Sequence, residues 1–243
     1  MDQFEMLNQD THRDLRIITE RASQYGDNVM FSLVFPFEFR SVQACYPILF
    51  HRDPKGEIYP VALFGFESGE NLFLTPDGWK ARYLPAMVRR EPFLIGMQAT
   101  GASAGSDPRR VMSLNMSHPR VSRSQGEPLF DQFGARTRYL EDMATLLETL
   151  FQGAEVNKRF MATLQQLQLI ESVTFDIALA DGSRNQLLGF FAIDEEKVRH
   201  LTGDQLGQLS QEGFLMPLFM ALASTVNIRT LIDLKNERIG SAA

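Results

Sequence analysis

A single cysteine, Cys45, stands in the 243 residues, so no intrachain disulfide can form and the chain has no need of an oxidising compartment. Cys45 is flanked by apolar residues and Tyr46, with no neighbouring cation to lower its pKa, and reads as a small buried hydrophobe, not a reactive thiol. Histidine is scarce: His12, His51, His118 and His200 are scattered and form no HExxH or HxH pattern, so no metal site is expected. There is no GxxxxGK[ST] loop, no GxGxxG after a strand and no Gly-x-Ser-x-Gly elbow, and no cofactor is expected. Gly101 to Gly105 has glycines but neither a following helix nor a lysine. Long hydrophobic runs are also missing. The most apolar stretch, Phe214 to Val226, falls short of the ~20 residues that cross a bilayer, so no transmembrane segment is expected. The acidic first ten residues lack the apolar core of an export signal. Together these absences point to the cytoplasm.

Basic charge is in deficit. The net charge is −6 and the pI about 5.3, which repels a phosphate backbone unless basic residues cluster. Arg82, Arg89, Arg90, Arg109, Arg110, Arg120 and Arg123 gather only loosely, so no nucleic-acid partner is expected. What is abundant is phenylalanine, nineteen residues against one tryptophan and five tyrosines. That composition suits an aromatic core.

Residues 29–116 are strand-rich, 117–136 form a connection and 137–238 are helix-rich. Runs at Val29–Phe35, Tyr46–His51, Val61–Phe66, Asn71–Thr75, Phe93–Met97 and Arg110–Met116 read as strands. Asp53 to Gly56 and Pro76 to Gly78 read as turns. Short helices are expected over Phe37–Ala44 and Pro85–Glu91, and a surface loop over 99–107. Apolar residues then recur at helical spacing from Tyr139 to Leu169, with Thr137 as N-cap and Gly153 as a break or bend. Val173–Ala180 and Gln186–Ile193 flank Asp181-Gly182 as a late hairpin. Asp194 caps a short helix, Thr202 and Gln205 form a capping box, and Phe214–Arg238 forms a final helix. Strands and long helices do not alternate strictly. The class is therefore α+β, a mixed, mainly antiparallel sheet from the N-terminal half packed with a helix-rich C-terminal half, in one domain over 1–243.

Two clusters could carry chemistry. The first holds Glu70, Asn71, Arg82, Tyr83, Arg89 and Arg90, whose guanidiniums suit bidentate contacts with a carboxylate or phosphate. Its plain alternative is an arginine pairing with Glu70 or Glu91 to lock a turn. The second holds Glu127 and Asp131, two carboxylates in reach of acid–base work, or an ordinary loop pinned by Phe130. The Phe214–Leu234 helix is more apolar than one face requires. It reads either as a core helix or as the surface of a homodimer or protein partner.

The ordered series Val34-Phe35-Pro36-Phe37-Glu38-Phe39, Tyr46-Pro47-Ile48-Leu49-Phe50, Gly69-Glu70-Asn71-Leu72-Phe73, Ala81-Arg82-Tyr83-Leu84-Pro85, Arg89-Arg90, Pro92-Phe93 and Glu127-Pro128-Leu129-Phe130-Asp131 resembles the SapC family. Leu179 to Gly182, Gly189-Phe190, Asp194 to Lys197 and Asn227 to Arg229 continue the likeness. The resemblance implies a bacterial protein of a family named for a surface-layer association. It also implies genetic company with TonB-dependent receptors, flavin-dependent halogenase-like proteins and cupin-like oxygenases, and it supplies no catalytic residues. Three functions follow as expectations. The leading one is a non-catalytic accessory protein that binds a small anionic ligand or a protein partner, beside a flavin-dependent halogenase or TonB-receptor-linked system. The others are an enzyme with a carboxylate/arginine site for a small anionic or peptide substrate, and a surface-layer structural protein.

Overall fold

The computed structural model describes residues 3–98 and 109–242; the loop expected over 99–107 lies outside them. In chain order the elements are β1 (Phe4–Met6), α1 (Gln9–His12), β2 (Arg16–Ile17), β3 (Phe31–Leu33), α2 (Phe39–Val42), β4 (Ile48–Arg52), β5 (Ile58–Leu63), β6 (Leu74–Thr75), β7 (Gly78–Trp79), α3 (Ala86–Arg89), β8 (Phe93–Gln98) and β9 (Arg109–Asn115). There follow β10 (Val121–Ser122), β11 (Glu127–Pro128), α4 (Arg138–Gln166), β12 (Ile170–Ala178), β13 (Arg184–Ile193), α5 (Glu195–Arg199), α6 (Gly203–Gln211), α7 (Leu215–Ser224) and α8 (Asn227–Ala242). Every pairing between these strands is antiparallel. With the helices concentrated after residue 137, the class is α+β. The chain gathers into two compact units, residues 1–27 with 88–152, and 28–87 with 153–243.

The first unit carries two small sheets, ordered β1-β9-β8 and β10-β2-β11. β10 and β11 fall in the stretch that reads as a connection, and β1 and β2 precede the first run that reads as a strand. Each is only two or three residues long, too short for a period of two to show. A charged group sits in this unit's interior. Arg120 is 1% exposed. Its Nη1 donates to the carbonyls of Ile18 at 2.8 Å and Glu20 at 2.6 Å, and its Nη2 to Asp27 Oδ2 at 2.5 Å. Asp27 also accepts from the Ala22 N–H at 2.9 Å and from Arg21 at 3.3 Å. A buried guanidinium is tolerable only with this degree of pairing. It ties the chain at Ile18–Asp27 to the strand start at Val121.

The second unit is built on a five-stranded sheet in the order β12-β13-β4-β5-β3. The late hairpin therefore joins the strands of the N-terminal half, with Phe191 opposite Phe50. The hairpin's register shifts between Val173 and Phe175, the irregularity of a β-bulge. The core is aromatic: Phe39, Tyr46, Phe50, Phe64, Phe160 and Phe214 are all at most 2% exposed. Phe160 meets Phe39 and Phe214 edge-on at centroid distances of 5.8 and 5.4 Å. Each buried phenylalanine contributes about 1.5–3 kcal/mol.

Two expectations about helices are corrected. Gly153 does not break α4, which runs unbroken for 29 residues. A Cβ at Gly153 would stand 2.7 Å from the Phe37 ring, so the glycine accommodates a close contact, not a turn. The final helix is two helices, interrupted at Thr225-Val226. There Ser224 Oγ and Thr225 Oγ1 donate back to Ala221 and Leu222 carbonyls at 2.6 and 2.9 Å, a competition with the helix ladder that bends helices. Ser224 Oγ also accepts from Ile48 N–H at 2.8 Å, and Asn227 donates to the carbonyls of Gln43 and Tyr46. These bonds pin α7 and α8 to the start of β4. By length and composition alone the run Leu215–Ser241 reaches what a membrane crossing needs. The continuous apolar stretch of the sequence ends at Val226, ahead of Asn227 and Arg229. Within the unit Leu218, Ala221, Ser224, Ile228 and Leu231 of this run are buried.

Candidate functional site

The expected ligand-binding residues divide between the units. Arg89, Arg90, Glu127 and Asp131 belong to the first, and Glu70, Asn71, Arg82 and Tyr83 to the second. In the first unit Arg90 donates to the Phe93 carbonyl at 2.7 Å and pairs with Glu91 at 3.0 Å, which holds the turn into β8. Arg89 is exposed, as is Glu127 in β11. Asp131 Oδ1 accepts from the N–H groups of Phe133 at 2.9 Å and Ala135 at 2.8 Å, so this carboxylate closes its own turn.

In the second unit the Tyr83 hydroxyl donates to Glu38 Oε2 at 2.7 Å. Glu38 is buried and also accepts from the N–H groups of Ala86 at 2.9 Å and Phe35 at 3.2 Å. Three donors thus satisfy a carboxylate with its charge-assisted bonds, and they fasten the Pro36–Phe39 corner to the start of α3. Arg82 is exposed. Glu70 and Asn71 do come together, in the loop after β5. Glu70 Oε2 accepts from Phe66 N–H at 2.9 Å, and Asn71 Oδ1 from Phe73 N–H at 3.0 Å. Gly65 permits this fold-back, because a Cβ there would stand 2.7 Å from the Glu70 carbonyl.

Sequence reasoning missed the other half of this assembly, on α8. Lys235 Nζ donates to Glu70 Oε1 at 2.5 Å and to Glu67 Oε1 at 3.1 Å. Burial alone would lower the Lys235 pKa, but the bonds from Glu70 and Glu67 outweigh it and hold the ammonium above its usual range. One turn on, Arg238 Nη2 donates to the carbonyls of Asn71 and Leu74, both at 2.6 Å. Residues three apart share a helix face, so Lys235 meets both acids, Glu67 and Glu70, while Arg238 holds the backbone just beyond them.

The clamp leaves a cavity of about 630 Å³ between the segment Leu72–Lys80 and α8. Its walls are Leu72, Phe73, Leu74, Pro76 and Leu234, and Lys80 and Arg238 bring the cations, with Glu237 the opposing charge. Lys80 is exposed and makes no ion pair among the described residues. Behind this wall Trp79 Nε1 donates to the Tyr46 hydroxyl at 2.7 Å, and the hydroxyl donates to the Tyr83 carbonyl at 2.5 Å. Burial pushes the Tyr46 pKa well up, so it remains a neutral donor. Among the described residues no three His, Cys, Asp or Glu side chains are grouped to hold a metal ion.

This geometry combines a cavity of small-molecule size, mostly apolar walls and a few placed charges, the features of a ligand pocket. The SapC family model matches residues 7–231, and the chain belongs to the SapC family. No curated protein and no solved structure matches it.

Proposed function

We propose that this SapC-family protein is a non-catalytic accessory protein that binds a small anionic ligand with an apolar body in the cavity between Leu72–Lys80 and α8. The observation that carries the reading is an apolar wall rimmed by Lys80 and Arg238. Lys235 is committed to two carboxylates and Arg238 uses its Nη2 on two carbonyls, so Lys80 is the rim cation that makes no ion pair among the described residues. A free cation beside an apolar wall suits an aliphatic or aromatic carboxylate, whose charge seeks Lys80 while its body displaces water from Leu72, Leu74 and Leu234. The family resemblance supports a bacterial setting beside a flavin-dependent halogenase or a TonB-receptor-linked system, and the acidic first ten residues, without the apolar core of an export signal, support the cytoplasm.

Calorimetric titration of the full chain with octanoate, 1-octanol and octylamine tests the reading. Octanoate should bind most tightly, and K80E should weaken octanoate by about tenfold, the loss of one charge-assisted contact. Equal binding of octylamine, or octanoate binding untouched by K80E, would refute it.

A second reading, a protein partner or a second copy, is favoured by α7 and the residues after it. Met216 is 55% exposed, Phe219 45% and Val226 71%. Methionine and phenylalanine are enriched at interface cores. Sedimentation of the wild type and F219E separates the cases: a dimer lost in F219E supports self-association, and a monomer at every concentration removes it.

A further inference from the structure

A second cavity, of about 760 Å³, lies beside a different face of α8 from the first, and reaches Phe175 of the late hairpin. On α8, positions 229, 232, 233 and 236 line it, with Val226 just ahead of the helix, whereas 230, 234, 237, 238 and 241 line the other cavity. At 3.6 residues per turn these two sets are separate stripes of one helix. One side of the second cavity is apolar: Phe175, Val226 and Ile232. Val226 is among the most exposed apolar side chains in the chain, at 71%.

The other side carries Arg229 and Asp233, both exposed. At an i,i+4 spacing their Cβ atoms lie roughly 5–6 Å apart, within ion-pair reach. Neither side chain makes an ion pair or hydrogen bond among the described residues. One positive and one negative group thus stand side by side at an apolar wall, each with its bonding capacity open. Asn236 adds a donor, since its Oδ1 is taken by Ala180 N–H at 2.8 Å while its Nδ2 remains.

We infer that this cavity binds a free apolar α-amino acid. Its carboxylate meets Arg229, with Asn236 as second donor, its ammonium meets Asp233, and its side chain lies against Phe175, Val226 and Ile232. A simple anion would leave Asp233 repelling it, and a cation would leave Arg229 doing so. A peptide carries its two terminal charges on different residues, further apart than neighbouring helix positions by about 3.4 Å per added residue. A free apolar amino acid holds both charges on one carbon with an apolar group beside them. This ligand class and this cavity are independent of the anion pocket.

Calorimetric titration of the full chain with L-leucine, N-acetyl-leucine and leucinamide tests the assignment. L-leucine should saturate one site, and each blocked analogue should bind at least about tenfold more weakly, one charged contact having gone. R229D should abolish binding, and the charge exchange R229D/D233R should restore it. K80E should leave it unchanged. The assignment is overturned if leucine does not bind, if N-acetyl-leucine binds as well as leucine, if the exchange fails to restore binding lost in R229D, or if K80E removes it. Circular dichroism confirms that each variant is folded, as expected for exposed positions.

Discussion

Replacing Lys235 by methionine isolates the clamp that shapes the anion pocket. Methionine keeps the length and apolar stem but removes the ammonium. Glu67, 58% exposed, regains water at little cost, whereas Glu70, 13% exposed, is left as a largely buried carboxylate with only the Phe66 N–H. A hydrogen bond to a charged group is worth about 1.5–3 kcal/mol, and leaving a buried charge unpaired costs about 3–5. The residual access of both groups to water pulls the expected loss to about 2–3 kcal/mol. E70Q is milder, about 1 kcal/mol, because the amide oxygen still accepts from Phe66 and Lys235 keeps Glu67. The double variant K235M/E70M should lose less than the sum of its singles by about 1–2 kcal/mol. Urea unfolding followed by fluorescence reports the right unit, since the only tryptophan, Trp79, lies in it. The sign with pH is fixed by the raised Lys235 pKa. Its contribution is complete below the ordinary lysine value of 10.5 and disappears as pH rises through the folded-state pKa above it. The gap between wild type and K235M should therefore be flat through neutral pH and narrow above pH 10.5. A K235M midpoint equal to wild type at pH 7 would refute the clamp.

Three further outcomes follow from the first unit. D27N removes the carboxylate that Arg21 and Arg120 share and should cost about 3–5 kcal/mol in chemical unfolding. G126A should cost at least about 2 kcal/mol, because φ is +97° and a Cβ would fall 2.2 Å from the Ile17 carbonyl oxygen. Tyr139 should ionise near pH 12 in an absorbance titration, a step absent in Y139F. Burial pushes its pKa up to about 12 against the opposing pull of Arg21 and Arg120. Its stabilising contribution is complete below pH 10.0, the ordinary tyrosine value, and is lost as pH rises from there through about 12.

The sequence was legible where structure is local. The Asp53–Gly56 turn is there, with Asp53 Oδ1 accepting from Lys55 and Glu57. So is the Thr202–Gln205 capping box, bonded in both directions. The apolar runs around Phe50 and Leu63 are central strands, because continuous hydrophobicity is what burial on both faces requires. Legibility failed where a residue's partner is remote. Glu38 reads as one more acid until Tyr83 and Ala86 arrive from 45 and 48 residues away. Glu70 reads as a ligand-binding candidate, but its cation lies 165 residues on, in a helix that reads as core or as interface. Gly153 reads as a break because propensity knows nothing of the Phe37 ring it must admit. Of the arginines, Arg90 stabilises its own turn, and the cations that border the pocket, Lys80 and Arg238, carry no motif of their own.

The central claim is that Lys80 and Arg238, set against an apolar wall, make an anion-binding pocket. A crystal structure of the full chain soaked with octanoate tests it most directly. The carboxylate should lie within hydrogen-bond distance of Lys80 Nζ and the alkyl tail against Leu72, Leu74 and Leu234. Density for the tail in any other cavity, or a carboxylate pointing away from both cations, would contradict it.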